Sequence, residues 1–262
     1  MQPLHDALHG ALRPAPRPAL TLGPALVLGA GGWLGSAMLS QVLAAGHARV
    51  GAWVRQPMAS THRGLVAVPE AVWQAPTPAQ REAWAGATAY LVLERAGLVG
   101  ARDAVFAAPQ AADLLPLARQ LRDLGVARLA VVLPHAANSL PEALRHGFAD
   151  ADEHALSTLG FDQLLLVRSS RDAAALPPGT PWWDRLAAAW WSQLRWIVPD
   201  AERPLRSVAL ARVVVAAVRL LREAPPGVRV LPQGVASRAA HAAEGVEPVL
   251  RTWLALPQKN GA

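Results

Sequence analysis

The chain of 262 residues is long enough for one large α/β domain with a substantial core. A hydrophobic share of 52% against 17% charged residues excludes intrinsic disorder, and the absence of cysteine excludes a disulfide framework, a thiol nucleophile and a Cys-based zinc site. The net charge of +6 is carried by scattered arginines rather than a basic cluster, so no nucleic-acid partner is expected. No apolar run of about 18 residues is present and no basic-then-apolar leader opens the chain, which gives the expectation of a cytoplasmic protein without a membrane span. Tyr90 is the only tyrosine and Lys259 the only lysine. A Tyr/Lys acid–base pair in the body of the protein is therefore excluded by arithmetic.

Residues 1–22 are rich in Pro and Arg without a period and read as a flexible extension. From Gly23 the expectation is one domain to the end of the chain. Ala25–Leu28 is a short apolar strand running into the glycine cluster Gly29-Ala30-Gly31-Gly32. Leu34, Met38, Val42 and Ala45 then recur at helical spacing, with Gly46 as the stop, and Val50–Val54 is the second strand. Leu65–Val68 is a weak third strand, Pro78–Trp84 a short helix and Ala89–Leu93 the fourth strand. Ala111–Leu124 is a helix, Val126–Leu133 a strand, Pro141–Leu159 a helix and Gln163–Val167 a strand. This alternation predicts a doubly wound parallel sheet of the Rossmann type. After Pro177-Pro178-Gly179 the character changes: Pro181–Val198 gathers Trp182, Trp183, Trp190, Trp191 and Trp196 into one helical segment. Ser207–Leu221 is a helix, Val228–Leu231 a strand and Ser237–Leu254 a closing helix. The C-terminal part reads as a small helical cap on the sheet, Trp-rich from about residue 177.

Gly29, Gly32 and Gly35 spell G-x-x-G-x-x-G between a strand and a helix. Glycines there let the backbone turn tightly and approach a pyrophosphate, toward which the helix N-terminus presents the positive end of its dipole. The expected cofactor set is Gly29, Ala30, Gly31, Gly32, Trp33, Leu34 and Gly35, with Leu93 and Leu133 at the ends of the fourth and fifth strands. Sites that take NAD place an acidic residue about 20 positions past the glycines; here that place is held by Arg55, with no Asp or Glu between Gly46 and Pro69. A guanidinium fork suits a 2′-phosphate, so NADP is the expected cofactor. A surface glycine turn and a solvated arginine are the bland alternatives.

The stretch GAGGWLGSAMLSQVLAAGH…VGAWVR resembles the opening of the atypical short-chain dehydrogenase/reductase superfamily, its NmrA-like and epimerase-like branch. EHALSTLGFDQLLLVRSS resembles a later segment of the same family. The resemblance spans roughly residues 24–232 and implies a dinucleotide-binding Rossmann fold. It also implies a serine after the fifth strand and Y-x-x-x-K on the next helix. Here the strand runs into Leu133-Pro134-His135, and the Tyr and Lys positions, counted from Glu153, hold Arg145 and Ala149. The cofactor half of the pattern is kept and the usual catalytic half is missing.

Two functions follow. One is a dinucleotide-binding protein without the usual catalysis, acting as a redox sensor or scaffold. The other is an NADPH-dependent reductase of a small hydrophobic carbonyl or quinone, with His135 as general acid at a rearranged site. His146, Asp150 and His154 fall at a spacing that shares a helix face, but no further ligand is in view to complete a set, so no metal is expected. The Trp-rich helix is read as core packing or as the surface for a small hydrophobic ligand or a protein partner.

Overall fold

The computed structural model describes residues 22–56, 62, 64–93, 105–135, 154–170 and 205–258. The elements in chain order are β1 (Ala25–Leu28), α1 (Trp33–Ala44), β2 (Val50–Val54), β3 (Leu65–Pro69), α2 (Ala71–Gln74), α3 (Pro78–Trp84), β4 (Thr88–Val92), α4 (Leu114–Asp123), β5 (Arg128–His135), β6 (Gln163–Ser170), α5 (Ser207–Leu221), β7 (Gly227–Leu231), α6 (Gln233–His241) and α7 (Val246–Trp253). The strands form a single seven-stranded sheet in the order β3-β2-β1-β4-β5-β6-β7. Every pairing is parallel. The expected α/β fold with a doubly wound parallel sheet is what forms. Its order reverses between β1 and β4, which places the ligand crevice of such sheets outside their carboxyl ends.

The apolar runs form strands because both faces of the sheet are covered, so no polar alternation is required. One face carries α1, α5, α6 and α7 over Val27, Ala52, Tyr90, Val132 and Leu165. The other carries α2, α3, α4 and the helical turn at 154–157 over Leu26, Leu28, Leu91, Val131 and Leu166. α5 lies against α1 and is itself covered by α6 and α7, which explains why most of its Val- and Ala-rich sequence is buried, leaving a stripe of Val208, Arg212 and Arg219 exposed. The described C-terminal helices thus pack onto the sheet. Among the described residues, no helix is long and apolar enough to cross a membrane.

Local chemistry sets the element ends. Gly46, Gly125 and Gly160, expected as helix stops, all have positive φ, at 82°, 96° and 74°. α3 starts at a capping box: the Gln80 amide donates to Thr77 Oγ1 at 3.3 Å, and the Thr77 amide donates to Gln80 Oε1 at 2.8 Å. The expected closing helix Ser237–Leu254 is corrected to two, α6 and α7, because Gly245 breaks the chain with φ 92° although the apolar period runs on across it. The helix expected from Ala111 begins instead with one 3₁₀ turn, Ala111–Asp113. α2 is an additional short helix. The strands expected at 126–133 and 163–167 run on to His135 and Ser170. The N-terminal extension and the Trp-rich segment lie outside the described residues, apart from Leu22, which is buried and bridges to His47.

Candidate functional site

At the carboxyl edge β1 ends and the chain turns through Gly29–Gly32 into α1. Gly29 has φ 88°, and a Cβ there would fall well inside van der Waals contact of the Val92 carbonyl oxygen, with Pro109 Cδ 3.3 Å away. A Cβ on Gly35 would overlap the Gly29 carbonyl group, lying 2.7 Å from its carbon. The third glycine therefore lets the first turn of α1 close onto the end of β1, as its spacing predicts. α1 opens with the Ser36 amide donating to the Gly32 carbonyl at 2.8 Å. It has no side-chain cap and no acidic residue in its first turn, so its positive end faces this edge uncompensated by a carboxylate of that turn.

The remaining expected residues are placed around this turn by the strands. Ala30 and Gly31 are buried, Gly32 is half-buried and Leu34 lies in the core. Trp33, the first residue of α1, is 80% exposed. Leu93 follows β4, buried, and its amide donates to the Val132 carbonyl at 3.1 Å. Leu133 is half-buried on β5, in register with Arg168 of β6, while His135 and Ser170 form the last pair of that ladder. Arg55 follows β2 and is exposed. One feature escapes sequence reading: Val105–Pro109 comes back over this edge as a strap. Phe106 forms an antiparallel bridge with Val54. The Arg55 amide donates to the Val105 carbonyl at 2.8 Å, and the Ala107 amide to the Trp53 carbonyl at 3.1 Å. The stretch V-F-A-A-P has no period that would have announced it.

No protein-family profile and no curated protein matches this chain. Among solved structures it is similar to the Bordetella bronchiseptica enzyme WbmH, whose crystal structure is a complex with NAD+. The two share 13% identity with a TM-score of 0.39, over 80% of this chain and 86% of that one.

The one tyrosine is not at this edge. Tyr90 is 1% exposed, at the centre of β4, and its ring meets that of His47 edge-on at 6.4 Å. Burial holds its hydroxyl far above the usual tyrosine range. Tyr90 and His47 line a cavity of about 10 Å³, the room of one water, together with Leu22, Thr88 and Arg222. His47 donates through Nδ1 to the Gly23 carbonyl at 2.8 Å, and its buried Nε2 has no hydrogen-bond partner among the described residues. Burial first, and then the charge of Arg222, push its pKa below the ordinary value of 6.5, against the opposing bond to Gly23. His154 is exposed, and among the described residues no three His, Asp or Glu gather as a metal set. Arg145, Ala149, His146, Asp150 and Lys259 lie outside the described residues.

Proposed function

We propose that the carboxyl edge binds a nicotinamide dinucleotide, with NADP(H) preferred over NAD(H). The observation that carries this reading is the glycine turn. It sits at the point where the strand order reverses, and at Gly29 and Gly35 any side chain would collide with backbone. Such a turn allows close approach of a pyrophosphate, and the α1 N-terminus supplies a positive end. Gly29, Ala30, Gly31, Gly32, Trp33, Leu34 and Gly35 would hold the pyrophosphate, with Leu93 and Leu133 on the far wall. Arg55, exposed at the end of β2, would take the 2′-phosphate. When bound, the dinucleotide supplies hydride chemistry.

The chain's own residues argue against the reduction chemistry of the short-chain dehydrogenases it resembles. Hydride transfer to a carbonyl builds alkoxide character that a tyrosine relieves by proton donation, and Tyr90 lies in the core with its proton held tightly. General acid catalysis of that kind contributes about 10²–10⁴-fold. The protein on this reading is a sensor or scaffold responsive to NADP(H). The position of His135 at the end of β5 favours one second reading, a reductase with His135 as acid.

Fluorescence titration with NADPH and NADH tests the first reading. A charge-assisted bond to phosphate is worth about 1.5–3 kcal/mol, or about 10- to 150-fold in affinity. We expect a preference for NADPH in that range, abolished in Arg55→Glu. Equal affinities in the wild type would remove the Arg55 assignment, and no binding of either would remove the reading. NADPH oxidation against a panel of aldehydes, ketones and quinones tests the second. Turnover at ordinary enzyme rates that collapses in His135→Ala would put the reductase in place of the sensor.

A further inference from the structure

The strap Val105–Pro109 joins the two halves of the candidate site. Carbonyl and amide groups of successive residues on a strand point to opposite sides, and those of alternate residues to the same side. Arg49 accepts from Ala25 of the β1 segment, so Trp53 and Arg55 also direct their main-chain groups toward β1. β1 does not reach the Trp53 carbonyl and the Arg55 amide, because its pairing with β2 ends at Val27 and Ala52 before the chain turns at Gly29. The strap occupies this slot. It satisfies the Arg55 amide and the Trp53 carbonyl, and so carries the extended backbone of β2 one residue beyond Val54. At its other end Pro109, itself buried, lies against Gly29. Between them Ala107 is 1% exposed, and Phe106, partly buried, packs against the core cluster to which α1 belongs.

From this we infer that the strap, anchored by Phe106, is the positioning element that sets Arg55 at a fixed span from the glycine turn, and so creates the selectivity for a 2′-phosphorylated dinucleotide. The inference rests on the proposed reading of the edge as a dinucleotide site. Selection between NADPH and NADH needs the guanidinium at one place relative to the pyrophosphate, and a segment bonded to β2 and packed on Gly29 fixes that span. Phe106 is a positioning residue, acting through Arg55, and needs no contact with the dinucleotide.

The test is the ratio of NADPH to NADH affinities in wild type, Phe106→Ala and Phe106→Leu, with thermal melts as a check on folding. We expect the NADPH preference to fall by about tenfold in Phe106→Ala, in keeping with the loss of one charge-assisted bond, and to be restored in Phe106→Leu. A folded Phe106→Ala protein that keeps its preference, or loses affinity for both dinucleotides equally, overturns the inference and leaves the dinucleotide site standing. Tighter binding of both would show that the strap obstructs the crevice, and also overturns it. A wild type without preference removes the Arg55 reading and this inference with it. If Phe106→Ala does not fold, amide exchange in the wild type decides. NADPH should slow exchange at Arg55 and Ala107 more than NADH does, and equal slowing overturns the inference.

Discussion

The two edges of the same sheet carry opposite chemistry. At the carboxyl edge the backbone is crowded around glycines, and the side chains it leaves exposed, Trp33 and Arg55, stand in solvent. At the amino edge a polar pair is turned inward: half-buried His47 and buried Tyr90 meet over a cavity the size of a water, with exposed Arg222 on its wall. The first arrangement suits reception of a ligand from solvent, and the second lies where the strands pack against Val215 and Val218 of α5. Tyr90, whose hydroxyl is raised far by burial, and His47, lowered beside it, are thus both at the structural edge. Perturbed groups often mark active sites, but buried networks perturb them too. Here backbone geometry and topology locate the candidate site.

The largest expected effect that would break this contrast is at Gly29. Gly29→Ala places a methyl group against the Val92 carbonyl at a φ of 88°. Strain and overpacking together should cost about 3 kcal/mol, read as a lowered urea midpoint, with dinucleotide affinity lost as well. A stable variant that binds normally would mean that the turn is not close-packed as described.

The amino edge should show a smaller effect that depends on pH. The folded state holds the His47 pKa below its ordinary value, so the unfolded chain takes up a proton first as pH falls. Stability is then fully present above about pH 6.5 and declines as pH drops from there toward the folded value. Urea melts at pH 7.5 and 5.0 should show this decline in the wild type and less of it in His47→Phe. An equal decline in both would exclude His47 as its source. Removing the positive charge in Arg222→Leu should weaken the decline without abolishing it, because burial is the larger cause.

The smallest effect belongs to the tyrosine. Tyr90→Phe should change stability by no more than about 1 kcal/mol and leave NADPH affinity unchanged, since the ring sits in the core. A large drop in affinity, or in any NADPH-dependent turnover, would bring the two edges into one functional unit.

Much of this was legible in the amino-acid order. The strands from β1 to β6 appear as short apolar runs cut by glycines, and Gly46, Gly125 and Gly160 announce the helix ends. Gly35 at its spacing predicts the close approach that its geometry shows. The rest is tertiary. The pairing of Val105–Ala107 with β2 joins residues about fifty positions apart, and nothing in V-F-A-A-P has a period to reveal it. The hole at Gly51, which Trp84 fills from α3, is likewise visible only once the elements are packed. The break at Gly245 was masked because apolar residues continue across it, and α2 is too short to show a period at all.

Amide hydrogen exchange with and without NADPH tests the division between the edges most directly. Slower exchange is expected only at the carboxyl edge, at Ala30–Ser36, Arg55 and Ala107, with no change at His47 or Thr88–Tyr90. Protection at the amino edge, or none at Ala30–Ser36 at saturating NADPH, would contradict it.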